Sequence, residues 1–264
     1  MYRPRTAGYR LTREVKLMSL IEQSQVHDRF EGGSWQRSCF RQLAERLTPP
    51  AEFPCIFSQN AFGRGLLLFS FVEDGSQGSL QQAAEDLSAY VELSRHWDGK
   101  VSTARPLVVA FSQKAASAND VAGYHDIGWR TLQSWHELDN EPWPKDVATD
   151  PHSPYWAMCY NGMQLFVNMS NPAHVRRRSR NLGDNLLFIV NPRERFDIVA
   201  GETPEGRRVR QRIRDRVERY DGLGHSPQLG SYNAGEIEWW QYGVIDENRE
   251  RADRCPFLVR SAAA

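Results

Sequence analysis

Trp156-Ala157-Met158-Cys159-Tyr160-Asn161-Gly162-Met163-Gln164-Leu165-Phe166-Val167-Asn168-Met169 decides the fold, together with the apolar run Leu186-Leu187-Phe188-Ile189-Val190 downstream. Trp156 to Tyr160 and Leu165 to Met169 read as two strands of a hairpin. Asn161-Gly162 lies between them, and this dipeptide readily adopts the left-handed pair that a tight hairpin turn requires. Leu186 to Val190 reads as a further buried strand.

The connection between these strands is Asn171-Pro172-Ala173-His174-Val175-Arg176-Arg177-Arg178-Ser179-Arg180-Asn181-Leu182-Gly183. It holds one histidine and, directly after it, four arginines within five positions. A turn between two buried strands places its side chains at the mouth of whatever the sheet encloses. A neutral imidazole there can bind a metal, and guanidinium groups can hold carboxylates or phosphates. A heme presents that combination, an iron needing an axial ligand and two propionates needing cations. In a helical turn, Arg176 and Arg180 share one face, four apart. The plainer alternatives stay open: a surface histidine, and a solvated arginine face paired with scattered acids.

Outward from this centre, helices are predicted over Val15 to Glu22, Ser34 to Leu47, Ser79 to about Trp97, Asn119 or Asp120 to about Leu138, and Thr203 to about Tyr220. Apolar residues recur at helical spacing in the longer ones, such as Trp35, Phe40, Leu43 and Leu47, and Ser, Asp or Thr stands ready to cap them. Strands are predicted over Leu66 to Val72, Pro106 to Phe111 and Glu236 to Val244. Prolines from Pro142 to Pro154 mark a rigid loop. Residues 1–14 read as a flexible tail and residues 15–264 as one domain. Strands and helices alternate only in part. The predicted class is therefore α+β, a mixed central β-sheet flanked by helices, rather than a doubly wound parallel sheet.

The chain has 264 residues and a formal net charge of zero, so its total charge suggests neither nucleic-acid nor membrane binding. Its cations are 29 Arg against 4 Lys. Biased codon usage is the first explanation, and bidentate anion binding a lesser one. Eight tryptophans point to large aromatic surfaces that are buried or face a ligand. Cys39, Cys55, Cys159 and Cys255 are far apart, with no CxxC pair and no CxxCH, which disfavours a zinc ribbon and covalently attached heme. The N-terminal residues lack an apolar signal core, and no run reaches the length of a membrane span. A cytoplasmic protein with reduced thiols is the expectation. Walker A, GxGxxG, GxSxG, HExxH and EF-hand patterns are missing from the sequence.

Further residues that can carry chemistry are scattered. Cys55, after Pro54 and before Ile56-Phe57, is either a structural cysteine or a thiolate ligand for heme iron. Cys255 has the same two readings. Asn60 to Gly65 suggests either a tight backbone beside a ligand or an ordinary hairpin. His136 ends a helix and suits a capping role. Glu236, Glu238, Trp239, Trp240, Gln241 and Tyr242 set acids beside aromatic rings, which suits a guanidinium or ammonium ligand or, equally, an edge strand. The arginines from Arg207 to Arg219 can contact nucleic acid. Asp215 and Glu218 interrupt that charge and favour an exposed helix of ion pairs.

With these residues in hand, the chain resembles the YqcI/YcgG family. Four blocks in order carry the resemblance. The first is Pro54-Cys55-Ile56-Phe57 through Phe62 and the strand to Phe71. The second is His136-Glu137-Leu138-Asp139 with Pro142-Trp143-Pro144. The third is Asn171 to Gly183 with Asn191-Pro192-Arg193-Glu194-Arg195-Phe196. The last is Glu238 to Tyr242 with Cys255-Pro256-Phe257. In many members a histidine directly precedes the proline of the third block. Here Asn171 stands there and the histidine is His174.

The resemblance implies heme-dependent N-oxygenation, in a branch that hydroxylates guanidino nitrogens as in the route to D-cycloserine. It implies b-type heme, molecular oxygen or peroxide as oxidant, and conversion of L-arginine to Nω-hydroxy-L-arginine. His174 is then the first choice of axial metal ligand and Cys55 the second, with Arg176, Arg178 and Arg180 toward the propionates in a pocket walled by the strands at Leu66 and Leu186. Glu238 or Glu236 would hold the guanidine, with Trp239 or Trp240 against its plane. An external electron donor is implied, since no flavin or iron–sulfur motif is present. No nucleic-acid or membrane partner is expected, and a homodimer is allowed for. Two rival readings remain: a heme carrier or sensor without turnover, and an Arg-rich nucleic-acid-binding module.

Overall fold

Six strands form one mixed sheet in the computed structural model of the chain, which describes residues 20–260. They are β1 (Ile21–Glu22), β2 (Leu68–Val72), β3 (Leu107–Phe111), β4 (Met158–Tyr160), β5 (Met163–Ser170) and β6 (Leu186–Pro192), in the order β1-β2-β3-β6-β5-β4. The α-helices among the described residues are α1 (Val26–Arg29), α2 (Trp35–Leu47), α3 (Ile56–Gly63), α4 (Gln77–Ser94), α5 (Val121–Leu138), α6 (Glu194–Ala200), α7 (Pro204–Asp221) and α8 (Trp239–Tyr242). Strands β2 and β3 are parallel, joined by α4 as the crossover that a parallel pair needs, and the other pairs are antiparallel. The α+β class with a mixed central sheet is thus the one the sequence predicts.

Local chemistry explains most boundaries. Asn161 and Gly162 both have positive φ, 49° and 70°, which closes β4 onto β5 with Tyr160 opposite Met163. The Ser34, Asp120 and Thr203 side chains accept N–H bonds at the starts of α2, α5 and α7. Pro204 occupies the first turn of α7, where its missing N–H costs nothing. A Cβ on Gly206 would lie 2.2 Å from the Gly201 carbonyl oxygen, so glycine there lets the start of α7 press against the end of α6.

Several expectations differ from the structure. The flexible tail over 1–14, and most of the predicted helix from Val15, lie outside the described residues. The end of that helix, Ile21–Glu22, is instead a strand pairing with Phe69 and Leu68. The fourth helix starts earlier, because Ser76 rather than Ser79 is its cap; the Ser79 N–H donates to Ser76 Oγ at 3.2 Å. Asn60 to Gly63 belongs to a helix, not a hairpin. Glu236 to Val244 is not a strand. Trp239 and Tyr242, three apart, both turn into the core, a spacing that a one-turn helix satisfies and a strand does not. The Tyr242 hydroxyl then bridges the hairpin, accepting from Met158 N–H at 3.1 Å and donating to Leu165 O at 2.6 Å.

Alternation along the strands separates two cores. Leu68, Val72, Leu107, Val109, Phe111, Leu186, Phe188 and Val190 face α4, α5 and the indoles of Trp135, Trp156 and Trp239. Phe69, Val108, Ala110 and Leu187 face Leu43 and Leu47 of α2 and Ala61 of α3.

The C-terminal segment closes the first layer. Gln133 on α5 exchanges two hydrogen bonds with the Leu258 backbone. His136 Nε2 accepts the Arg260 N–H at 3.0 Å, and His152 Nε2 accepts the Cys255 N–H at 3.2 Å. His136 therefore anchors a distant segment as well as sitting in the last turn of its helix.

Candidate active site

The turn from Asn171 to Asn185 joins β5 to β6 and is braced from within. Asn171 N–H donates to Arg180 O at 3.0 Å, as does Ser170 Oγ at 2.9 Å, and the Asn181 amide donates to Pro172 O and His174 O. This framing drives His174 inward until it is 2 % exposed.

Inside, His174 meets Asp246. Its Nδ1 lies 2.6 Å from Asp246 Oδ1. The same carboxylate accepts three consecutive backbone N–H groups, from Val175, Arg176 and Arg177, at 3.1–3.2 Å. Burial pushes the Asp246 carboxyl upward, but the His174 hydrogen bond and these backbone donors outweigh it and hold it well below the usual carboxylate range. Burial also lowers the His174 imidazole below its ordinary value, against the pull of Asp246. The pair is thus a carboxylate facing a neutral imidazole. With the proton on Nδ1, the lone pair is on Nε2. That Nε2 is buried and has no hydrogen-bond partner.

His125 on α5 lies beside it, ring centroids 6.0 Å apart. Both of its ring nitrogens are buried and unpartnered. Burial, then the Arg251 charge, pushes its pKa well down, so it too is neutral. A Cβ on Gly243 would come within 3.1–3.2 Å of three His125 ring atoms, so the missing side chain makes room for the imidazole. His125 and Asp246 open onto a cleft of about 940 Å³ between the first half of α5 and residues 245–256. The cleft wall mixes apolar groups such as Val121, Trp129 and Ile245 with charges of both signs, among them Asp126, Asp253, Arg249, Arg251 and Arg254.

Most arginines of the turn are already engaged. Arg177 is buried and donates to Ile245 O, Glu247 O and Asn248 Oδ1. Arg180 is buried and donates to Gln241 O at 3.1 Å; burial, with Arg177 nearby, brings it down to about 10. Arg178 lies 5.0 Å from the Tyr220 ring centroid and also donates to the Tyr220 carbonyl. Arg176 is exposed. The turn is a single 3-10 turn at Arg178–Arg180, not an α-helix carrying two arginines on one face.

The structure brings the turn together with residues 241–248, yet the acid and aromatic cluster does not form one surface. Trp239 is fully buried, and its face already carries the Arg251 guanidinium, 4.7 Å from the centroid. Trp240 is half-buried against the core. Glu238 is buried, accepts from Gln241 Nε2 at 3.0 Å, and is pushed up to about 8 by burial, with Arg193 opposing. Glu236 holds the Ser231 N–H.

Cys55 lies elsewhere, on the wall of a cavity of about 180 Å³ on the opposite face of the sheet. That cavity, not the His174 site, is the one walled by the predicted strands, through Leu67 and Ile189. Cys255 is buried, and burial raises its thiol to about 12. Along α7 the arginines pair mainly within the chain: Arg208 with Glu205, Arg210 with Glu202, and Arg216 with the Phe53 and Pro54 carbonyls. Among the described residues no helix is long and apolar enough to cross a membrane.

Sequence reasoning missed His125, Asp246 and Arg251. His125 had a usable signal, since it lies on the apolar face of α5 with Tyr124, Gly128, Trp129 and Leu132. Asp246 had none, because its role arises only when the chain folds back on residues 174–177.

Comparison with known proteins supplies the lineage. The YqcI/YcgG family pattern matches residues 43–258. A Streptomyces lavendulae protein named "Putative N(omega)-hydroxy-L-arginine synthase DcsA" is 53% identical over 243 residues, covering 92% of this chain and 91% of its own length. Two Bacillus subtilis proteins named as uncharacterized, YcgG and YqcI, are 32% and 31% identical over 84% and 85% of this chain, and 88% of each of their own lengths. No solved structure gives a significant match. The chain belongs to the YqcI/YcgG family.

Proposed function

We propose that this chain hydroxylates the guanidino group of L-arginine to Nω-hydroxy-L-arginine, with b-type heme as its cofactor and residues 15–264 as one heme-binding domain. The N-hydroxylation reading is supported by the extent and identity of the match to the Streptomyces lavendulae protein. Formation of an antibiotic such as D-cycloserine is the pathway setting that the same likeness supports.

One observation carries the cofactor reading: the Asp246–His174 pair with its unpartnered, buried Nε2. A carboxylate on the far ring nitrogen fixes the tautomer and strengthens the near nitrogen as a metal ligand. Among the described residues no three His, Cys, Asp or Glu side chains gather as a cage for an ion. A porphyrin supplies most of the coordination itself and asks the protein for one or two axial donors. The neighbouring cleft has an apolar wall and two arginines, Arg249 and Arg254, suited to propionates, while Arg251 is already held by Asp253 and the Gly243 carbonyl. His125 and Asp246 reach the wall of this cleft and His174 lies directly behind them, and on these grounds we assign the heme to this end of the molecule with His174 as donor.

When bound, heme supplies the activation of dioxygen or peroxide for N–H oxygenation. The chain's own residues do the rest. Asp246 keeps the His174 proton on Nδ1. Asp126 on the cleft wall matches a guanidinium, whereas Asp253 is already paired with Arg251. Trp129 and Ile245 exclude water from the reacting nitrogen. An external donor supplies the two electrons that oxygen requires.

A second reading makes Cys55 the ligand, because it lines the apolar cavity on the other face. The visible spectrum of heme-loaded protein separates the two. The Soret band is expected to be lost in His174→Ala and kept in Cys55→Ala, and to shift when L-arginine is added. The reverse pattern transfers the ligand to Cys55, and protein that stays colourless with ample heme removes the cofactor. A Soret band with no product from arginine and oxidant leaves the carrier reading.

A further inference from the structure

The cavity beneath the other face of the sheet has a chemistry of its own. Its wall is apolar over most of its extent, with Leu47, Val108, Phe166, Ile189 and Phe196 among the lining side chains. Among the described residues Arg195 is the one permanently charged residue that lines it, and no aspartate or glutamate does.

Arg195 is 6 % exposed. Its Nη atoms donate to neutral groups only: the Tyr90 hydroxyl at 3.1 Å, the Arg105 carbonyl at 2.8 Å and Ser94 Oγ at 3.3 Å. The Trp97 ring lies 5.3 Å from its central carbon. Its Nε is buried with no hydrogen-bond partner, and among the described residues no carboxylate forms an ion pair with it. Burying a cation is costly unless it gains a counter-charge, so this placement is poorly explained by folding alone. Nearby Arg193 shows the contrast, since it is paired with Asp197. Asn168 and Asn191 also line the wall.

We infer that this cavity is a binding site for a small apolar carboxylic acid, whose carboxylate pairs with Arg195 while its hydrocarbon body fills the space above Val108 and Ile189. The size agrees. A cavity of about 150 Å³ lined by apolar side chains holds benzene, and this one has about 180 Å³. An aryl or short alkyl carboxylate is the matching class. The site is separate from the cleft beside His125 and Asp246 and stands whether or not heme binds there.

Isothermal titration of the full-length protein with phenylacetate and with its neutral analogue phenylacetamide tests the inference. Phenylacetate is expected to bind, and phenylacetamide about tenfold or more weakly, the loss expected for one charge-assisted contact. Arg195→Gln is expected to abolish that preference. Because this variant can fail to fold, Ala61→Phe serves as a second: it fills the cavity, leaves Arg195 in place and is expected to abolish binding of both compounds. In His174→Ala, phenylacetate binding is expected to persist, which separates this site from the heme reading. Equal binding of acid and amide, no binding at millimolar concentration, or displacement of phenylacetate by hemin with loss of the Soret band in Cys55→Ala would each overturn it.

Discussion

Asp246 Oδ1 lies 2.6 Å from His174 Nδ1, although the two residues are 72 positions apart. Oδ2 accepts the Val175 and Arg176 N–H groups, and Oδ1 accepts the Arg177 N–H beside the imidazole. The carboxylate's position is therefore fixed before anything binds. The imidazole inherits that order, and its free nitrogen is aimed rather than mobile.

Asp246→Asn keeps the shape and removes the charge. The amide can present either an oxygen or an N–H to His174, so the tautomer is no longer set. On the proposed heme reading, hemin affinity is expected to fall by about 10–100-fold, the usual cost of losing such a partner. A hemin titration reads the midpoint, and circular dichroism reports whether the fold is kept. An unchanged midpoint in a folded variant removes Asp246 from the site.

Glu238 predicts a trend with pH. Burial raises its folded pKa to about 8, above the ordinary value of 4.5. The folded protein keeps this proton where the unfolded chain loses it. Its contribution is thus fully present below about pH 4.5, declines as pH rises, and is lost above about pH 8. The change is on the order of a few kcal/mol. Glu238→Gln is expected to flatten this part of the Tm profile. Parallel profiles for the two proteins count against a protonated Glu238.

Gly243→Ala probes the room made for His125. The new methyl group would sit 3.1–3.2 Å from the ring, so the imidazole must move by a few tenths of an ångström. Stability is expected to fall by about 1 kcal/mol. The His125 NMR signals should shift while those of His152 stay. Unmoved His125 signals would mean that the backbone yields instead.

Gly206→Ala tests the elbow between α6 and α7. Its Cβ would overlap the Gly201 carbonyl oxygen and nitrogen, at 2.2 and 2.7 Å, and backbone cannot swing aside. A loss of about 1–3 kcal/mol in urea unfolding is expected. A neutral substitution would show that α7 can shift away from Gly201 at little cost.

The framework was readable because short-range rules dictate it. Asn161-Gly162 admits one kind of turn, Leu186 to Val190 can only be buried, and Asp120 and Thr203 cap the helices after them. The failures share one cause. Trp239 and Tyr242 read as an alternating strand until Met158 and Leu165 are brought under the Tyr242 hydroxyl, a contact that no local window contains. The arginines of the turn misled for a similar reason. Ile245 O, Gln241 O and Tyr220 O take up Arg177, Arg180 and Arg178, and these acceptors are distant in sequence. His174 was visible as an oddly placed imidazole, whereas its partner Asp246 was not.

The alternation along β6 divides labour at the scale of single residues. Phe188 packs against Trp135 of α5, while Ile189 looks into the Arg195 chamber. Inserting one residue upstream in this strand would exchange its two faces wholesale, sending core side chains into the cavity and cavity side chains into the core. Mutational scans of this segment should therefore fall into two interleaved classes, odd positions answering to the Arg195 cavity and even positions to the packing of α4 and α5.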